Sequence, residues 1–138
     1  MAADRVPPAP SLSESTPSLS RTLRSFGYAA AGLWYLARTQ PNFRVHFAVA
    51  VAVVAVAIGV GAPAVEIAVL VLAIGLVMVG EACNTAVEAV VDLASPAVHP
   101  LARIAKDVAA AAVLIAATLA AVVGFVILGP RLLALLWR

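Results

Sequence analysis

Apolar positions along this chain fall into one mixed stretch and three long, nearly unbroken runs. From Leu19 to about Thr39, Leu23, Phe26, Ala30, Leu33 and Ala37 recur every three or four residues, flanked by Arg21, Arg24 and Arg38. That period predicts an amphipathic helix. Trp34 and Tyr35 suit a headgroup layer, so the helix is expected to lie on a membrane surface rather than cross it; packing against a soluble partner is the alternative. The first run, roughly Val45–Val60, is apolar except for His46, and Gly61-Ala62-Pro63 breaks it. The second runs from near Ala64 to Leu93, about 30 residues or ~45 Å of helix. A bilayer's hydrocarbon core is only ~30 Å thick. Ile67–Gly80 therefore accounts for membrane depth, and the acidic end of the helix must reach an aqueous face. Ser95 to Pro100 forms the connection. The third run, Val108–Leu128, has Thr118 as its polar side chain, and Gly129-Pro130 is expected to stop it.

Composition agrees with the bilayer reading. Of 138 residues, 64% are hydrophobic and 12% charged, with a mean hydropathy of +1.06. Soluble domains carry about 25% charged residues. The expected fold is an all-α membrane protein, with one surface helix and three transmembrane helices. Residues 1–18 hold four of the nine prolines among Ser, Thr and Ala. They are expected to be a disordered tail and not a signal peptide, leaving 19–138 as the membrane domain. A net charge of +2 with scattered arginines argues against nucleic acid as a partner. The single Cys83 excludes an internal disulfide and reads as a small packing residue. Arg21, Arg24, Arg38, Arg44, Arg103 and Lys106 fall on the side of the N-terminus and the second connection, which the positive-inside rule makes cytoplasmic. Arg131 and Arg138 dissent.

The candidate chemistry lies on the second apolar helix. At about 100° per residue, Glu81, Asn84, Glu88 and Asp92 sit at about 0°, 300°, 340° and 20°, with Thr85 alongside at about 40°. Ionisable groups at membrane depth are costly and mark function by default; the alternative is a stripe of interhelical hydrogen bonds that only holds an oligomer together. Glu81 and Glu88 are ~10 Å apart along the axis, too far to clamp one ion jointly. Glu81 is the deeper group and suits a general base. Glu88, beside Asn84, offers the hard oxygens that Mg²⁺ prefers. Lys106 stands at the start of the third helix, where the macrodipole favours an anion. That points to an anionic ligand such as phosphate, although snorkelling or pairing with Asp107 would also explain it. No Gly-x-x-x-x-Gly-Lys-[Ser/Thr] loop is present, so a P-loop enzyme is excluded.

The segment Glu81-Ala-Cys-Asn84-Thr-Ala-Val-Glu88-Ala-Val-Val-Asp92, followed by His99-Pro-Leu-Ala-Arg-Ile-Ala-Lys106-Asp107, closely resembles the signature of the prokaryotic diacylglycerol kinase family, which includes undecaprenol kinases. The resemblance extends from about Arg21 to Leu128 and includes Gly27-Tyr28, Gly32-Leu33 and Asn42-Phe43-Arg44-Val45-His46. It implies an ATP- and Mg²⁺-dependent lipid kinase of the prokaryotic plasma membrane, a homotrimer with active sites shared between protomers. By the family pattern Glu81 matches the proton acceptor, next to the lipid substrate with Ser25, and Asn84 belongs to the same catalytic cluster. Glu88 matches a metal ligand; Lys106 and Asp107 match nucleotide-phosphate contacts, and Arg21, Tyr28 and His99 further ATP contacts. One departure is Gln40, which stands where the family commonly has a second metal-binding Glu, itself close to ATP. Another is Ala97, where some members have an acid. The expected function is phosphorylation of a membrane lipid alcohol, diacylglycerol or undecaprenol. The rival is a non-catalytic oligomeric membrane protein derived from the same family.

Overall fold

The computed structural model describes residues 19–95 and 99–137. The expected tail 1–18, Ala97 with most of the second connection, and Arg138 lie outside the described residues, as do the side chains of Ser20, Arg21 and Leu136. Four helices follow in chain order: α1 (Leu19–Thr39), α2 (Pro41–Gly59), α3 (Ala64–Ala94) and α4 (Pro100–Leu136).

Each boundary has a local cause. Pro41 disfavours the helical region for the residue before it, and Gln40 is extended at φ −103°, ψ 104°, which separates α1 from α2. At the end of α2, Gly61 takes φ +68°. Its N–H donates to the Ile58 carbonyl at 3.0 Å, and the Ala62 N–H donates to the Ala57 carbonyl at 2.9 Å. This paired closure around a left-handed residue is a Schellman cap, which glycine adopts without Cβ strain. Pro63 then leads into α3. At the start of α4, His99 is the N-cap: its Nδ1 accepts the Leu101 N–H at 3.2 Å, and Pro100 occupies the first turn.

The chain divides into two compact units, Met1–Leu33 and Trp34–Arg138. Within the first, residues 22–33 of α1 are exposed. Within the second, Arg38 stacks its guanidinium over the Trp34 ring, 4.9 Å from its centroid. α3 packs chiefly along α4 and also against α2. A core of Ala57, Leu70 and Leu128, flanked by Val53, Ile67 and Val123, lies toward the α2–α3 turn. Further along, α3 passes close to α4 at Gly80, where a Cβ would make ordinary contact with Val113, 3.7 Å from its Cγ2. Leu72, Leu76, Leu114, Ile115 and Phe125 face outward. In water that much exposed apolar surface would be unfavourable; α2, α3 and α4 are each long and apolar enough to cross a membrane.

Two expectations are corrected. The first run begins earlier, at Pro41. The third does not stop at Gly129-Pro130, since α4 continues through Pro130 to Leu136. An internal proline removes one backbone hydrogen bond and crowds the preceding turn. Here the next residue ties the far end down: Arg131 donates from Nε to Glu66 Oε2 at 2.9 Å and from an η nitrogen to Glu66 Oε1 at 2.8 Å. This two-pronged pair joins the first turn of α3 to α4 and compensates the arginine that dissented from the charge rule. Replacing Arg131 or Glu66 by alanine is expected to lower the thermal midpoint in detergent, with the double variant no worse than the worse single one. Additive losses would show that the pair carries no coupling.

Candidate functional site

The second half of α3 carries the polar face, and the structure orders it by burial within the chain. Glu81 is 3% exposed, the one buried carboxylate among the described residues, and Thr85 one turn on is also buried. A carboxylate in such surroundings needs a partner. It comes from α2, where His46 Nε2 lies 3.2 Å from Glu81 Oε1. The imidazole also lines an apolar cavity of about 610 Å³ among α2, α3 and α4, with Val53, Leu70, Val77, Ala121 and Phe125.

One turn beyond Glu81, Asn84 Nδ2 donates to Glu88 Oε1 at 3.1 Å. This is an i,i+4 pair on one helix face. Spending the amide nitrogen on Glu88 leaves Asn84 Oδ1 buried without a partner, and Thr85 Oγ1 is in the same condition. A buried polar atom left so costs about 1–3 kcal/mol, so these two adjacent oxygens are candidates for a further partner. Asn84 Oδ1 and the Glu88 carboxylate are hard oxygens of the kind Mg²⁺ takes, and that ion commonly uses one or two carboxylates plus substrate phosphates. The donor set fits such an arrangement. Among the described residues no group of three His, Cys, Asp or Glu side chains is placed to hold a metal without phosphate.

At the end of α3, Lys106 Nζ donates to Asp92 Oδ1, an ion pair that ties it to the start of α4. Sequence reasoning gave Lys106 an external anion, snorkelling or Asp107; its partner within the chain is Asp92. Asp107 turns to Arg103, 3.7 Å away and well exposed. Asp92, on the polar face of α3, thus has its partner on α4.

The sequence-expected residues are therefore gathered unevenly. Asn84 and Glu88 are in contact, Glu81 continues the same face inward, and Lys106 and Asp107 stand just past the connection. His99 is engaged in capping α4. Gln40 is half-buried between α1 and α2, and its side chain makes no capping hydrogen bond. Ser25 and Tyr28 lie in the first unit, where Tyr28 is exposed; the backbone of Arg21 is helical there. The residue that spacing missed is His46. Its signal was a lone polar side chain in an apolar run, but its pairing with α3 is tertiary and has no periodicity to reveal it.

Comparison with known proteins bears on the same residues. Positions 27–128 match the family described as prokaryotic diacylglycerol kinase. The chain is 40% identical over 114 residues to the undecaprenol kinase of Bacillus subtilis (strain 168), covering 83% of this chain and 93% of that protein. It is 42% identical over 115 residues to the diacylglycerol kinase of Synechocystis sp., covering 83% of this chain and 66% of that protein.

Proposed function

The chain belongs to the prokaryotic diacylglycerol kinase family and is a lipid kinase; from that premise we propose that it transfers the γ-phosphoryl group of ATP to the hydroxyl of a membrane lipid alcohol. The observation that carries this reading is the order along the polar face: a buried carboxylate and then unpartnered oxygens beside Glu88 on α3, followed by a lysine at the start of α4 paired with the end of α3. A lipid hydroxyl reaches the first from the bilayer, and a nucleotide reaches the last from water.

Phosphoryl transfer needs mainly positioning and charge stabilisation. The Glu81 carboxylate accepts the proton of the lipid hydroxyl as its oxygen forms a bond to the γ-phosphorus. The bond to the bridging oxygen breaks, and ADP leaves with that oxygen. Glu88 and Asn84 Oδ1 would hold Mg²⁺, with the Gln40 carbonyl oxygen in support and no charge to add. That ion, when bound, neutralises charge building between the β- and γ-phosphates. Lys106 exchanges Asp92 for a phosphate oxygen, and Asp107, His99, Arg21 and Tyr28 contribute to holding ATP, with Ser25 near the lipid.

The wider setting belongs to the same proposal. The period of α1 and the side on which the arginines fall support a surface helix and a cytoplasmic active site in the plasma membrane. Ala and Gly in every span permit the close helix packing that a trimer with shared sites needs.

The Asn42-Phe43-Arg44-Val45-His46 and His99-Pro-Leu-Ala segments favour undecaprenol over diacylglycerol. Purified protein in mixed micelles with γ-labelled ATP and Mg²⁺, offered each lipid in turn, is expected to label undecaprenol faster. Faster labelling of diacylglycerol would reassign the substrate, and labelling of neither would overturn the kinase reading.

A further inference from the structure

We infer that His46 is a positioning residue for the general base, a role that rests on the kinase reading of Glu81. Glu81 is 3% exposed on an apolar helix. A glutamate side chain has three rotatable bonds, and a base must present one oxygen to the substrate within about 2.6–3.2 Å. Among the described residues the group paired with that carboxylate is His46, with Nε2 3.2 Å from Oε1.

The two residues come from different helices, so the contact also sets the carboxylate relative to α2. His46 is 29% exposed at its side chain and lines the apolar cavity that Val77 and Met78 of α3 also line. It therefore stands between the buried base and a space of about 610 Å³ open to an apolar molecule. With Nε2 3.2 Å from Oε1, the imidazole stays beside one carboxylate oxygen and so sets which way the carboxylate faces. The same imidazole closes one edge of the space through which a lipid alcohol would approach. A histidine that merely filled a gap in the bundle would not need to sit opposite the one acid buried among the described residues.

Reach separates this role from general packing. The amide nitrogen of glutamine matches the position of histidine Nε2, whereas that of asparagine matches Nδ1 and falls short of Glu81. The experiment compares His46→Gln, His46→Asn and His46→Leu in mixed micelles, measuring kcat and the KM for ATP, with assembly followed by size-exclusion chromatography. His46→Gln is expected to stay within about fivefold of the parent kcat, while His46→Asn and His46→Leu fall by about 10- to 100-fold, as for residues that orient a reactive ligand. The KM for ATP should hold within about threefold, because His46 faces the lipid side. In a Glu81→Gln background, His46→Leu should produce no further loss, since residues acting as a unit are not additive.

Equal rates for His46→Gln and His46→Asn would overturn the inference, as would a His46→Leu enzyme at the parent rate. Misfolding of the leucine variant leaves the Gln–Asn comparison decisive, because both are polar and differ in reach. If the parent protein labels no lipid, the kinase reading falls and this role with it. If the parent is active and the Gln–Asn contrast is absent, this role alone falls.

Discussion

Glu81→Gln is expected to lower kcat by roughly 10²- to 10⁴-fold, the usual contribution of a general base, while ATP still binds and the protein still assembles in detergent. The substitution keeps the volume and an oxygen acceptor but removes the lone pair that takes the proton. Because Glu81 is buried, loss of its charge does not strand a second buried ion; His46 remains partly exposed and able to reach water. A structural role predicts a different split. If the buried carboxylate only joined α2 to α3, the glutamine variant would show a lower thermal midpoint with turnover preserved among folded molecules. Steady-state kinetics and thermal unfolding on one preparation separate these outcomes.

The second large effect is expected at Lys106. Lys106→Met should lower kcat/KM for ATP by roughly 10²- to 10³-fold, the loss seen when one donor to developing charge is removed. The structure adds a contrast that sequence did not contain. Asp92 is the intrachain partner of Lys106, so Asp92→Asn removes that partner and leaves the lysine free for the proposed phosphate contact. Exposed ion pairs contribute ~0.2–1 kcal/mol, so Asp92→Asn should change kcat/KM by less than about fivefold. Equal losses in the two variants would mean that the pair itself, and not the free ammonium, is what the reaction uses.

Much of this was legible in sequence, for reasons specific to membrane helices. α3 was expected to run from near Ala64 to Leu93, and it ends at Ala94, because Pro63 before it and the polar Ser95 connection after it punctuate an otherwise apolar run. The Asn84–Glu88 contact was implied by a spacing of four on one helix. What periodicity left out was everything joining one helix to another. His46 with Glu81, Asp92 with Lys106 and Glu66 with Arg131 are separated along the chain and meet by packing alone. Pro130 was misread for the same reason: its local signal is to stop a helix, and the Glu66 clamp that steadies the turn beyond it lies 65 residues away.

The polar pairs also refine the meaning of the acidic face. As a row of carboxylates it suggests one site; as a structure it separates into a buried carboxylate with its histidine, an amide–carboxylate pair with an unpartnered oxygen, and an exposed ion pair between α3 and α4. The departure at Gln40 places more weight on the middle group, where Glu88 and Asn84 would carry the metal with the nucleotide's own phosphates.

The most direct test is transfer of label from γ-labelled ATP to lipid by the purified protein, run beside Glu81→Gln under identical Mg²⁺ and lipid conditions. Labelled lipid phosphate from the parent protein and a loss of at least about 100-fold in the variant are expected. Equal labelling by both proteins would contradict the assignment of Glu81 as the base around which the site is built.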